Sequence, residues 1–268
     1  MRIAITGGAG FLGRAAVDAA ENAGHDVWTF DRADDNDILG DLSDLTGADA
    51  VIHLAGMLGT SELFDTAEAA VDANVKGTLR ILDWCRDNDA RYVGITMLHV
   101  FPSVYTATKV CAQRLASAWH QAFDLPVSHV RAFNAYGPHQ AHGPGHPQKI
   151  LPTFAKAAWA GEPIPVWGDG EQTVDLIHAD DVGRMLIDAI GHGDDAVFDA
   201  GTGIPRTVNQ VAHDVLEVTG STAGIKYLPM RPGEVPVKVV AQGDGWDRLT
   251  WRPEMNWQKF SEAVQWYR

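Results

Sequence analysis

The 268-residue chain has only two cysteines, Cys85 and Cys111, and neither sits in a Cys-x-x-Cys pair of the kind that holds zinc. A fold stapled by disulfides is excluded, and a reducing, cytoplasmic setting is expected. Basic residues are also scarce, since 21 Lys and Arg stand against 35 Asp and Glu and leave a formal charge of −14. A nucleic-acid surface needs a basic patch that this balance does not supply, so no nucleic-acid partner is expected. Long apolar runs are missing too. No stretch approaches the roughly 18 residues of a membrane span, and Met1-Arg2-Ile3-Ala4-Ile5 enters a strand pattern without signal-peptide architecture. No membrane partner is expected. What remains, 46% hydrophobic and 21% charged residues, is the composition of a folded globular chain with a sizeable core.

Short β-branched and aliphatic runs alternate with longer Ala-rich segments of helical period, the pattern of βαβ units around a buried parallel sheet. Strands are expected over 3–6, 27–30, 50–54, 92–96 and 127–131, and helices over 10–23, 65–87 and 104–123. The fold class is therefore α/β, a Rossmann-type doubly wound parallel sheet with a smaller C-terminal substrate-binding lobe. Between Gly137 and Pro147 three glycines and three prolines break regular structure, and a second lobe begins there. The runs 174–177 and 196–199 again read as strands of the main sheet. This gives a core of residues 1–132 and 174–203 and a lobe of residues 133–173 and 204–268.

The strongest local signal is Thr6-Gly7-Gly8-Ala9-Gly10-Phe11-Leu12-Gly13, between the first strand and the first helix. Gly7 permits a tight turn, Gly10 lets backbone approach a pyrophosphate, and Gly13 allows close helix-to-strand packing at the positive end of a helix dipole. Phe11 and Leu12 open that helix. Asp31 ends the next strand, where a carboxylate accepts both ribose hydroxyls of an adenosine and repels a 2′-phosphate, so NAD is expected as cofactor. Arg32 beside it is the counter-signal, because a guanidinium there accommodates the phosphate of NADP.

The second signal is Tyr105-Thr106-Ala107-Thr108-Lys109 at a helix start. Four residues apart on a helix, the phenol and the ammonium share a face, and the cation is expected to stabilise the phenolate for proton exchange with a substrate hydroxyl. Of the tyrosines in the chain, Tyr105 alone is followed four positions later by Lys.

With both motifs in place, the chain resembles the extended short-chain dehydrogenase/reductase superfamily, in its NAD-dependent sugar-nucleotide epimerase/dehydratase branch, nearly end to end. The resemblance implies that Asp41-Leu42 contacts adenine. It likewise implies that Leu54, Ala55 and Gly56 line the cofactor, and that Asn74 in Asn74-Val75-Lys76-Gly77-Thr78 belongs to the cofactor site. Arg131-Ala132-Phe133-Asn134-Ala135-Tyr136-Gly137-Pro138 is similar to the family's entry into the substrate lobe, with Asn134 at the nucleotide diphosphate. Gly168-Asp169-Gly170-Glu171-Gln172-Thr173, Asp175-Leu176-Ile177-His178, Arg231-Pro232-Gly233-Glu234 and Leu249-Thr250-Trp251-Arg252-Pro253 follow in the family's order. Arg231 is the implied diphosphate anchor with Lys149 beside it, and the face of Trp167 is offered to the base. The resemblance also implies a nucleotide-sugar partner and a homodimer in which the helices over 65–87 and 104–122 pair across a two-fold axis, using Ala73, Leu79, Leu82, Val110, Leu115 and Trp119.

Three departures from the family pattern stand out. Met97 occupies the place of the catalytic Ser or Thr, and a thioether donates no hydrogen bond, which leaves Thr96, Ser103 or Thr106 as replacements. The connection between Thr96 and Tyr105 is short, so the pocket is expected to be more open. Val174 stands where relatives carry an Arg. His99 aligns with the Glu that deprotonates the sugar in dehydratases, while the acidic partner one position earlier is here Leu98; the imidazole is either a base or a packed strand-end side chain. His139, His142 and His146 have no helix to align them and no nearby Cys, so no metal is expected. The leading function is an NAD-dependent epimerase that oxidises and re-reduces C4 of a nucleotide-sugar, with Tyr105, Lys109, Thr96 and His99 as catalytic candidates. The alternatives are a dehydratase or keto-sugar reductase on the same scaffold, or a cofactor-binding protein whose catalysis has decayed.

Overall fold

A computed structural model of the chain describes residues 1–143 and 145–268. The first half alternates strand and helix: β1 (Arg2–Thr6), α1 (Phe11–Asn22), β2 (Asp26–Phe30), β3 (Ala50–His53), α2 (Ala67–Val71), α3 (Gly77–Asp87), β4 (Arg91–Thr96), α4 (Val104–Phe123) and β5 (Val127–Ala132). The second half holds β6 (Asn134–Tyr136), α5 (Ile150–Trp159), β7 (Ile164–Trp167), β8 (Thr173–His178), α6 (Ala179–Ala189), β9 (Asp194–Ala200), β10 (Pro205–Thr207), α7 (Val208–Thr219), β11 (Ile225–Leu228) and α8 (Trp257–Trp266). Six strands form a parallel sheet in the order β2-β1-β3-β4-β5-β9. Ile3, Ile5, Ile52, Val93 and Val130 are fully buried in it, because helices cover both faces. On one face α1 crosses α6 so closely that a Cβ on Gly183 would lie 2.3 Å from the carbonyl oxygen of Ala15. On the other face lie α3 and α4, which bury Ile81, Leu82, Cys85 and Ala116. Chain order reverses between β1 and β3, and a cleft opens at the carboxyl ends of the strands there, as the geometry of open α/β sheets requires.

The helix expected over 65–87 is helical without a break over 67–87, but α2 and α3 within it are joined by a π turn over Asp72–Lys76, with the fully buried Asn74 inside it. One expectation about elements needs correction. The strand around 174–177 exists but does not join the main sheet. β8 pairs parallel with β6 and antiparallel with β10 in a three-stranded sheet of the lobe. An alternating apolar run specifies a strand and not its partner, and the partners of β8 are β6 and β10. A two-stranded parallel sheet, β7 with β11, and helices α5, α7 and α8 complete the lobe around Tyr136, Leu151, Phe154, Val211, Val215 and Phe260. Two fully buried carboxylates fasten the later chain onto the core. Asp175 accepts from the backbone N–H groups of Thr202, Gly203 and Ala241, and Asp199 accepts from Arg131 and from the N–H groups of Gln242, Gly243 and Asp244.

Candidate active site

The cleft, of about 720 Å³, runs from the glycine-rich turn across the ends of β1, β3 and β4 into the lobe. At its first end Gly7 takes φ +72°, and a Cβ there would come within 2.7 Å of the backbone nitrogen of Ala55. Gly13 is equally constrained, since its Cβ would sit 2.1 Å from the carbonyl oxygen of Gly7. Gly10, at the N-cap, carries no side chain to compete for the first-turn N–H groups of α1, and Phe11, Leu12 and Gly13 of that turn line the cleft. An uncapped helix N-terminus behind a tight glycine turn suits a pyrophosphate. Asp31 sits beside it on the wall; its carboxylate accepts from the N–H of Ala9 at 3.1 Å and of Ala33 at 3.0 Å, so it fixes the turn as well as facing the cleft. Arg32 is exposed on the same wall, and Leu54, Ala55 and Gly56 form the opposite one.

Three residues expected in the cofactor site stand off the cleft. The carboxylate of Asp41 is turned to Ser43, accepting from its N–H and its hydroxyl, which lowers its pKa, and Leu42 packs into the core beneath. Asn36, Asp37, Ile38 and Leu39, from the segment after β2, line this part of the cleft. Asn74 is a support: its side chain accepts from the N–H of Met57, donates to the carbonyl of Met57 and to the Thr108 hydroxyl, and so pins the loop after β3 to α4.

Helix α4 supplies the chemical face. Tyr105, Lys109 and Gln113 follow one another at helical spacing of four, and the first two line the cleft. Lys109 is buried, and burial lowers its ammonium to about 8. Burial also pushes the Tyr105 phenol above its ordinary value, the opposite of the direction expected from the spacing, because the phenolate is desolvated there. Gly56 makes room for the lysine, since a Cβ there would meet the Asn74 oxygen at 2.5 Å and the Lys109 Nζ at 3.3 Å. Of the three hydroxyls that could replace the missing one at Met97, the Ser103 hydroxyl donates to Thr106 Oγ1 while accepting from the Thr106 N–H, and both residues face a shallow depression outside the cleft. Thr96 lines the cleft, buried, but its hydroxyl donates to Gln113 Oε1 at 2.7 Å and so presents only acceptor capacity. Met97 lines the cleft beside it. His99 is exposed in the outer depression, so it does not reach the cleft: the turn over 97–101 directs it outward.

In the lobe, Asn134, Lys149, Trp167, Arg231 and Val174 all line the cleft. Burial and the neighbouring Arg231 lower Lys149, while Glu62 and Glu234 oppose that shift. The Arg231 guanidinium lies 4.9 Å from the Trp167 ring centroid and is bound by Glu234, by Gln148 at 3.1 Å and by Glu62 at 3.6 Å. Sequence reading missed Glu62, Gln113, Gln140 and Thr153. Only Gln113 carried a signal, its place four residues after Lys109 on the same face. Among the described residues no three His, Cys, Asp or Glu side chains converge on a common point, and His139 packs against Trp266. No helix among them is long and apolar enough to cross a membrane.

Comparison with known proteins identifies the class. Residues 3–201 match the NAD dependent epimerase/dehydratase family, and the chain belongs to it. It is 27% identical to a dTDP-glucose 4,6-dehydratase of Streptomyces niveus, with 87% of this chain and 82% of the relative covered. It is 28% identical to a UDP-glucuronate 4-epimerase of Thermodesulfobacterium geofontis, covering 81% and 72% respectively. The fold is shared with the UDP-glucose 4-epimerase of Thermotoga maritima, solved with UDP-glucose: the TM-score is 0.89 at 24% identity over 100% of this chain and 98% of that one. The chain is thus an NAD-dependent enzyme of the nucleotide-sugar epimerase and dehydratase group.

Proposed function

We propose that the protein is an epimerase acting at C4 of a nucleotide-sugar through a transient keto-sugar. The observation that carries this reading over dehydration is the strand end after β4: Thr96 to Phe101 offers the cleft no carboxylate, and its one imidazole, His99, faces outward. Loss of water from a sugar needs a second acid–base pair to deprotonate carbon and protonate the leaving hydroxyl, whereas epimerisation needs one proton carrier and a reversible hydride partner. NAD, when bound, supplies that hydride partner and places a cationic ring in the site.

This chain's residues divide the remaining work. The turn Gly7–Gly13 holds a pyrophosphate with backbone N–H groups, and Asp31 takes the ribose hydroxyls. Tyr105 carries the proton of the C4 hydroxyl at its phenol oxygen. Because burial holds the phenol protonated, its ionisation depends on cationic neighbours, of which Lys109 is one. Arg231, Lys149 and Asn134 receive the diphosphate, and Trp167 offers its face beside them. The test is incubation with a panel of UDP- and dTDP-sugars and analysis by NMR. A C4 epimer with no net change of NAD is expected; a 4-keto-6-deoxy product, or no product, overturns the assignment.

A further inference from the structure

We propose that Glu62 is an internal competitor for the diphosphate of the nucleotide-sugar: its carboxylate lies at the NH1 edge of Arg231, and binding of the diphosphate displaces it and releases a strap joining core to lobe. The proposal rests on the reading of Arg231 as diphosphate anchor. Glu234 engages Arg231 from both Nε and NH2. That leaves NH1 as the edge through which an arriving anion gains a charge-assisted contact, and NH1 is held by Gln148 Oε1 at 3.1 Å and faces Glu62 Oε1 at 3.6 Å. The opposite face is closed by Trp167. Two anions do not share one partly buried guanidinium edge without repulsion, so Glu62, held at 3.6 Å and more exposed than Glu234, gives way.

Glu62 also holds the strap. The same oxygen accepts from the N–H of Gln148 at 3.2 Å, the adjacent Ser61 hydroxyl donates to the carbonyl of Pro232 at 2.6 Å, and Gly233 packs on the Phe64 ring. The loop after β3 thereby grips residues 148 and 231–233 of the lobe across the cleft. Displacing Glu62 frees Gln148 next to Lys149, a second cation on the cleft wall, so one exchange both unmasks positive charge and loosens the grip.

The test is calorimetric titration of the NAD-saturated protein with UDP and, separately, with dTDP, for wild type, Glu62→Gln, Ser61→Ala, Arg231→Gln and the Glu62→Gln/Arg231→Gln pair. Glu62→Gln is expected to tighten nucleotide binding on the order of tenfold, the scale of one charged contact at a partly exposed site. The gain is expected to vanish when Arg231 is Gln, and Ser61→Ala, which loosens the strap without altering charge, is expected to leave affinity within twofold of wild type. Unchanged or weaker binding by Glu62→Gln, or an equal gain from Ser61→Ala, overturns the proposal while leaving the nucleotide-sugar reading intact. Absence of nucleotide binding in wild type and Glu62→Gln alike overturns both.

Discussion

At Tyr105 burial raises the phenol, whereas the spacing to Lys109 predicts a lowering. Replacing Tyr105 by Phe removes the phenol oxygen, so kcat is expected to fall roughly 10²–10⁴-fold with NAD affinity unchanged. Met97→Ser, measured alongside, is expected to hold or raise kcat, because it restores a hydroxyl donor on a wall where Thr96 has spent its own on Gln113. Lys109 gives a pH signature of the fold. Its folded pKa, about 8, lies below the ordinary lysine value of 10.5, so between those limits the unfolded chain binds the extra proton and stability rises with pH. Below pH 8 the folded protein bears the full cost of a buried ammonium. Lys109→Met is therefore expected to raise Tm over wild type more at pH 7 than at pH 10, read by thermal unfolding in matched buffers.

At the scale of elements, the π turn over Asp72–Lys76 decides where the loop after β3 sits. Asn74 in that turn bridges Met57 and Thr108, and an apolar side chain of similar size strands both backbone groups of Met57 in a partly buried place. Asn74→Leu is expected to cost about 2–4 kcal/mol in urea unfolding and to weaken NAD binding, although Asn74 itself stands off the cleft. The resemblance gives this segment as the helix that supports the site, but the partners, Met57 and Thr108, were not legible in the motif, which shows a residue type at a spacing and not which way its side chain turns. Asp41 and Leu42, which the resemblance places at adenine, stand off the cleft, with the Asp41 carboxylate turned to Ser43, while Asn36–Leu39 line it. By contrast, α4 matched its expected span, since Ser103 caps it and its apolar positions follow one face.

The whole molecule presents one further surface. The solvent side of the α2–α3 and α4 face exposes Val71 and Phe123, with Leu79, Leu115 and Trp119 partly covered. Leu82, expected there, is fully buried against the sheet and takes no part. A homodimer through this face is expected, and light scattering at micromolar concentration is expected to give the mass of two chains; one of 29.0 kDa, that of a single chain, overturns it.

By itself, the sequence determined the parallel sheet, the glycine turn with Asp31, and the Tyr105–Lys109 face, because each depends on residues near one another along the chain, where hydrophobic period and helical spacing fix direction. Tertiary structure alone decided that β8 leaves the main sheet for β6, that His99 turns away from the cleft, and that the Thr96 hydroxyl is taken by Gln113. It also decided that Glu62 meets Arg231 from the far side of the chain. Those outcomes depend on which distant backbone arrives at each edge, and on side-chain direction set by packing, neither of which is encoded in local spacing.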